Sequence, residues 1–173
     1  MKNQNVLPFI FHDNENRFAK VNSFQFNEAE QTSIITLAIR VLELRHQPGV
    51  AFNCPQDTRD YLRLHLSERK NEVFGVLFLD NKHRIICNEE LFSGSISSAS
   101  VYPRVMVQRT LNCNANAVIF YHNHPSGDVE PSSADIAITK RLKNALELID
   151  VRVLDHYIVG SQGSVAFSER GLL

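Results

Sequence analysis

The clearest pattern in the chain is an apolar run that ends in two histidines. Residues 117–121 are apolar or aromatic, and they lead directly into His122, Asn123, His124 and Pro125. A short apolar run that ends in turn residues predicts a buried strand. Side chains two positions apart on a strand share a face, so we expect His122 and His124 to lie together while Asn123 points away.

The remaining apolar spacing predicts helices alternating with strands. Helices are predicted over about 27–46, 58–67 and 103–111 and from about 132, and strands from 72, over 84–92, near 95–98, over 153–159 and over 164–167. In the helix from 132 the residues expected to face inward are Ile138, Leu142, Ala145 and Ile149. This order predicts an α/β sandwich with a mixed central sheet flanked by helices. Residues 1–48 are expected to be an N-terminal extension with one helix, and 49–173 the main domain.

Composition narrows the function classes. The 173 residues are 43% hydrophobic, which is enough to bury a core, and their net charge of -1 gives no electrostatic footprint for nucleic acid. Lys140, Arg141 and Lys143 are expected to form the solvated face of a helix. No apolar run approaches the roughly 18 residues of a membrane span, so we expect a soluble cytoplasmic protein.

The three cysteines are Cys54, Cys87 and Cys113, an odd number without a Cys-x-x-Cys pair. This spacing indicates neither a disulfide framework nor a thiolate zinc site. We therefore expect all three to be reduced and buried.

The residues after the histidines add a carboxylate. Pro125 and Gly127 should turn the chain, and a helix entry near Ser132 would place Asp135 in the first turn, back towards the end of the strand. Two imidazoles and one carboxylate suit Zn²⁺ and leave its fourth position to water, whose pKa falls to about 7. Hydrolysis is the chemistry this predicts. Alternatively, Ser132-x-x-Asp135 is only a variant capping box.

These residues carry a family resemblance. The pattern His122-x-His124-Pro125, followed by Ser132-x-x-Asp135, resembles the JAMM motif of MPN-type metalloproteases. Its surroundings resemble bacterial RadC proteins, in particular short RadC-like proteins of the YeeS type, which lack a helix-hairpin-helix region. The resemblance covers about the last three quarters of the chain and is carried by VLFLD (76–80), ELFSG (90–94), VYPR (101–104), HNHPSGDVEP (122–131), VRVLDH (151–156) and FSERG (167–171).

The resemblance implies a JAB/MPN-like (cytidine-deaminase-like) fold with the site at the edge of the sheet, and it implies two further site residues. Glu72 would be the general acid/base, although without the resemblance it is simply the polar first residue of a strand. Ser132 would donate a hydrogen bond to the substrate carbonyl oxygen. His156 is expected to be a structural residue outside the site.

Three function classes follow. We favour a zinc-dependent hydrolase of amide bonds, a metallopeptidase or isopeptidase, with a protein or peptide substrate. The alternatives are a nucleic-acid-binding protein or nuclease associated with DNA repair, which the charge does not support, and a non-catalytic MPN-type protein-binding scaffold. A zinc deaminase is disfavoured because its His-x-Glu and Pro-Cys-x-x-Cys signatures are absent. The sequence leaves the oligomeric state open.

Overall fold

The computed structural model describes residues 26–45, 54–66, 69–94 and 101–173. The helices are α1 (Glu28–Arg45), α2 (Pro55–Leu66), α3 (Pro103–Asn112) and α4 (Ser133–Glu147), and a 3₁₀ turn covers Ser168–Arg170. The strands are β1 (Val73–Leu79), β2 (Ile85–Ser93), β3 (Ala117–Asn123), β4 (Arg152–Gly160) and β5 (Gly163–Ala166). The strand predicted near 95–98 and most of the predicted extension lie outside the described residues.

The five strands form one mixed sheet in the order β2-β1-β3-β4-β5. β1 runs antiparallel to both of its neighbours, β3 and β4 are parallel, and β5 is antiparallel to β4. Because β3 lies in the middle, both of its edges are paired and all seven of its residues are buried. The predicted α/β class with a mixed central sheet is confirmed.

The side chains of β1 and β3 alternate between two cores, one on each face of the sheet. On one face Leu77, Ile119 and Tyr121 pack with Leu62 of α2. On the other face, Phe74, Val76, Phe78, Val118 and Phe120 pack with Met106 of α3 and Ile138, Leu142 and Leu146 of α4. By the period of two, His122 belongs to the face that α3 and α4 cover.

Two features of the topology determine which chain segments meet at the end of β3. α4 is the crossover between the parallel strands β3 and β4, so its first turn begins near the carboxyl end of β3. β1 is antiparallel to β3 and pairs Phe74 with His122. Extending this register by two residues brings Glu72 opposite His124.

Several details differ from the sequence-based expectations. After Ile138 and Leu142, the third buried apolar residue of α4 is Leu146 and not Ala145, and Ile149 follows the end of the helix. Cys54 is exposed, and Cys87 and Cys113 are only half-buried. The histidine strand is the central strand, so the histidines lie at the carboxyl end of the sheet's middle strand and not at an outer edge. No helix among the described residues is long and apolar enough to cross a membrane.

Candidate metal centre

The two histidines meet at the end of β3. His122 is the second-last residue of the strand and its side chain is 1% exposed, whereas His124 follows the strand and its side chain is 15% exposed. Their Nε2 atoms are 2.9 Å apart. As expected, Asn123 points to the other face, where its Oδ1 accepts a hydrogen bond from the Val73 N–H. The alternation of the strand therefore brings two imidazole nitrogens together.

Asp135 supplies a carboxylate to the same pair of nitrogens. Its Oδ1 lies 3.3 Å from Nε2 of His122, and its Oδ2 lies 3.5 Å from Nε2 of His124. The residue occupies the first turn of α4 and is buried. Its approach to the histidines follows from the crossover, because α4 starts where β3 ends.

Glu72 approaches from the neighbouring strand. A carboxylate oxygen of Glu72 and one ligand nitrogen from each of His122 and His124 all lie within 4.8 Å of one another. The antiparallel register of β1 and β3 accounts for this proximity. Glu72 is half-buried, which leaves its carboxylate at the border between the protein and solvent.

The donor atoms fit a zinc ion. Two ligands bound at about 2.0–2.1 Å to a tetrahedral zinc lie roughly 3.3 Å apart. The three separations among His122 Nε2, His124 Nε2 and the Asp135 oxygens are 2.9, 3.3 and 3.5 Å. His122, His124 and Asp135 therefore present two nitrogens and the two oxygens of one carboxylate at near-ligand spacing, and the Glu72 carboxylate lies beside the two histidines.

Ser132 is the N-cap of α4. Its Oγ accepts the Asp135 N–H, and the Asp135 Oδ2 accepts the Ser132 N–H at 2.8 Å, so the predicted capping box is present. The Ser132 hydroxyl itself donates to Asp135 Oδ2 at 2.6 Å. The structure thus brings Ser132 into contact with the candidate metal ligand, and its predicted role towards a substrate carbonyl stays a prediction.

The other ring nitrogen of each histidine has a partner as well. Nδ1 of His124 donates to the Asp128 carbonyl at 2.8 Å, which leaves Nε2 as the atom that faces Asp135. Nδ1 of His122 lies 2.8 Å from Nε2 of His156 on β4. Sequence reasoning left His156 outside the site. The sequence around His156 does not indicate this contact, because the contact arises only when β3 and β4 pair.

Electrostatics within this group follow from burial and from these contacts. Burial opposes ionisation of Asp135, but hydrogen bonds to His122 and His124 prevail and hold the pKa of Asp135 below its usual range. The hydrogen bond to Asp135 raises the pKa of His124. Burial lowers the pKa of His156 well below the ordinary value. The group is therefore an ionised carboxylate beside two imidazoles, with a neutral imidazole behind them.

A second group of metal-type side chains fits zinc less well. Cys87, Glu89 and Cys113 have ligand atoms within 4.8 Å of one another. However, their sulfurs are 3.0 Å apart, whereas sulfurs bound at about 2.3 Å to a tetrahedral zinc lie roughly 3.8 Å apart. Both oxygens of Glu89 also accept hydrogen bonds from Arg109. The histidine group is thus the stronger candidate in the part of the chain that the structure describes.

A cavity of about 330 Å³ adjoins His124. The cavity is also lined by Arg63, Arg69, Asn123 and Ser161, but not by Glu72, His122, Ser132 or Asp135. It therefore lies beside His124, on the face of the sheet to which Asn123 points.

Comparison with known proteins gives one consistent result. The sequence profile of the RadC-like JAB domain matches residues 52–172. A UPF0758 protein of Vibrio cholerae is 52% identical over 145 residues, which cover 84% of this chain and 91% of that protein. UPF0758 proteins of Methylibium petroleiphilum and Photobacterium profundum are 52% identical over 145 residues, but the match spans only 65% of their length.

The matched range contains Glu72, His122, His124, Ser132 and Asp135. The five-stranded mixed sheet with its flanking helices is the JAB/MPN-like architecture that the resemblance implied. The predicted relationship is confirmed: this chain belongs to the RadC family and carries its RadC-like JAB domain.

Proposed function

We propose that this protein is a zinc-dependent hydrolase of amide bonds, a metallopeptidase or isopeptidase. The observation that carries the proposal is the convergence of His122, His124 and Asp135 at near-ligand spacing, with the Glu72 carboxylate beside them. A structural zinc site has no need of a second, half-buried carboxylate beside its ligands. This combination therefore favours hydrolysis over a scaffold role.

His122, His124 and Asp135 would hold the zinc ion. Bound zinc supplies a nucleophilic water at neutral pH and acts as a Lewis acid towards a carbonyl oxygen. The capping box fixes the Asp135 carboxylate by hydrogen bonds from the Ser132 backbone and hydroxyl, and the Asp128 carbonyl fixes the ring of His124. These contacts orient the donor atoms before any ion arrives.

Glu72 would move the proton. Its carboxylate would accept a proton from the attacking water and return it to the nitrogen of the leaving amine. Ser132 would stabilise the charge that develops on the carbonyl oxygen. In this structure the Ser132 hydroxyl donates to Asp135, so this role requires a rotation of the hydroxyl hydrogen towards the substrate. Asp135 Oδ2 would still accept the hydrogen bond from the Ser132 N–H after this rotation.

The substrate we propose is a protein or peptide. The near-neutral composition supports this choice, because it lacks the excess of basic residues expected of a nuclease. We also propose a cytoplasmic location, which is supported by the three free cysteines. The division into an extension (1–48) and a catalytic domain (49–173) is part of the same proposal.

The first experiment is elemental analysis of the purified protein and three variants. We expect one zinc per chain in the wild type and in Glu72→Gln, and loss of zinc in Asp135→Ala. Glu130→Gln is the matched control for Glu72→Gln, because Glu130 lies in the loop between β3 and α4 and contacts Arg170. Absence of metal from all four proteins would reject the zinc site.

The second experiment is peptide hydrolysis, followed by mass spectrometry on a mixed peptide library. Cleavage by the wild type and by Glu130→Gln, but not by zinc-loaded Glu72→Gln, is the expected result. Activity of Glu72→Gln near the wild-type level would remove Glu72 from the mechanism, whereas zinc without any cleavage would favour a binding role.

A further inference from the structure

We propose that His156, backed by Thr139, is a positioning residue that determines which ring nitrogen of His122 carries the hydrogen. The inference rests on the proposed metal site and deepens it, because it assigns the donor atom of one ligand. A neutral imidazole binds metal only through the nitrogen without hydrogen, and the hydrogen bond made by the other nitrogen decides which one that is. The hydrogens that decide this lie on a path from α4 through β4 to β3.

The first hydrogen belongs to the Thr139 hydroxyl. Thr139 Oγ1 lies 2.6 Å from the Asp135 carbonyl oxygen, which can only accept. The hydroxyl must therefore donate its single hydrogen to this carbonyl. Oγ1 also lies 2.6 Å from Nδ1 of His156, and its hydrogen is already in use. It follows that Nδ1 of His156 carries a hydrogen and donates it to Thr139.

The second step concerns the charge of His156. The ring is completely buried, and the rings of Phe74, Phe120 and Phe167 surround it at centroid distances of 5.5, 5.8 and 4.6 Å. An imidazolium is costly in such an apolar enclosure, so His156 is neutral and has only one N–H. That hydrogen is on Nδ1. Its Nε2 is therefore an acceptor.

The third step reaches the metal ligand. Nε2 of His156 lies 2.8 Å from Nδ1 of His122, and an acceptor at this distance requires a donor opposite it. Nδ1 of His122 therefore carries the hydrogen. Nε2 of His122 is then the nitrogen left for a metal ion, and it lies 3.3 Å from the Asp135 carboxylate and 2.9 Å from Nε2 of His124.

The resulting path joins two candidate ligands through the interior. It runs from the Asp135 carbonyl to Thr139, one turn further along α4, then to His156 on β4 and His122 on β3. His124 has no need of such a path, because it lies beyond the strand and donates to the Asp128 carbonyl in the loop. His122 lies within the sheet, where the backbone carbonyls are engaged in strand pairing. A side chain has to supply its acceptor.

The direct test is ¹⁵N NMR of the histidine rings in the metal-free, selectively labelled protein. We expect Nδ1 of both His122 and His156 to carry a hydrogen, and Nε2 of His156 to carry none. A His122 ring without a hydrogen on Nδ1 in the wild type would overturn the proposal. Because the measurement needs neither zinc nor activity, it separates this inference from the proposed function, which would fail if the wild type bound no zinc.

Variants test the two positioning steps separately. We expect His156→Leu and Thr139→Val to weaken zinc binding about 10- to 100-fold, measured by competition with a chromophoric chelator. His156→Gln should restore most of the affinity lost in His156→Leu, since its amide oxygen can accept from Nδ1 of His122. Thr110→Val is the matched control, because Thr110 is equally buried and donates to the carbonyl four residues earlier without meeting a histidine.

Two results would overturn the positioning role. One is a His156→Gln variant as weak as His156→Leu, which would mean that packing and not the acceptor matters. The other is a Thr139→Val variant that binds zinc as tightly as Thr110→Val. If His156→Leu does not fold, the threonine pair and the NMR measurement still decide the question.

Discussion

At the scale of single residues, Asp135 combines two interpretations that the sequence presented as alternatives. Ser132-x-x-Asp135 could be a capping box or part of a metal site. The side chain has two oxygens, and Oδ2 accepts from the Ser132 backbone while Oδ1 faces His122. The capping contacts leave Oδ1 directed at His122, so the capping box is compatible with the proposed metal site.

Cys87 is a residue whose reactivity should be low. Burial, together with the Cys113 thiol, raises the pKa of Cys87 to about 12. Below that pH the group is mainly the unreactive thiol, because the thiolate is the nucleophile. At pH 8 we therefore predict that iodoacetamide labels the exposed Cys54 much faster than Cys87, as followed by peptide mass spectrometry. Equal labelling rates in the folded protein would contradict this, and urea-unfolded protein gives the reference rates.

Gly75 is required by close packing across the sheet. It pairs with Tyr121, and a Cβ at Gly75 would lie 2.0 Å from the Tyr121 ring. The ring cannot easily move away, because Tyr121 is buried and its hydroxyl donates to Asn88. We predict that Gly75→Ala lowers the free energy of unfolding by about 1–3 kcal/mol in urea denaturation.

A double-mutant cycle checks the cause of that loss. In the background of Tyr121→Val the ring is absent, so the additional cost of Gly75→Ala should largely disappear. An equal cost in both backgrounds would show that the overlap with Tyr121 is not responsible.

At the scale of the element, the start of α4 depends on its cap. The Ser132 side chain accepts the Asp135 N–H, one of the backbone donors that the first turn leaves without a helical partner. We predict that Ser132→Ala lowers the free energy of unfolding by about 1 kcal/mol. Ser133→Ala is the control, because Ser133 is the first residue inside the helix and should cost much less. Equal losses in the two variants would argue against the cap.

The bounds of most elements could be predicted because they depend on local patterns. Apolar spacing and Pro103 located α3 closely, and the apolar run located β3. The prediction that Ala145 faces inward in α4 is wrong, since Leu146 is buried instead. The two residues are adjacent in the helix and point in different directions. Only the packing of α4 against the sheet decides which of them is buried.

At the scale of the whole molecule, the order and register of the strands could not be predicted from the sequence. Local periodicity identifies a strand but does not state its neighbours. The nearness of Glu72 to the histidines depends on β1 lying antiparallel to β3 with Phe74 opposite His122. Before the structure, the placement of Glu72 therefore depended on the family resemblance. The contact between His156 and His122 depends in the same way on the pairing of β3 with β4.

This long-range assembly predicts how zinc affects unfolding. The candidate ligands come from β3 and α4, so they meet only when the sheet and the crossover are in place. Bound zinc should therefore stabilise the native state and slow unfolding, with little effect on the refolding rate. Stopped-flow unfolding in urea, with zinc or with a chelator, measures this. Asp135→Ala should show no difference, and a zinc effect of equal size in that variant would place the ion elsewhere.

Because β4 follows β3 and α4 in the chain, it is made after them on the ribosome. A chain made from its N-terminus exposes Glu72, then His122 and His124, then Asp135, and only later His156. Until β4 emerges and pairs with β3, the ring of His122 lacks its partner and either of its nitrogens can carry the hydrogen. The newly made chain would thus acquire its full affinity for metal only after β4 has been translated and has paired with β3.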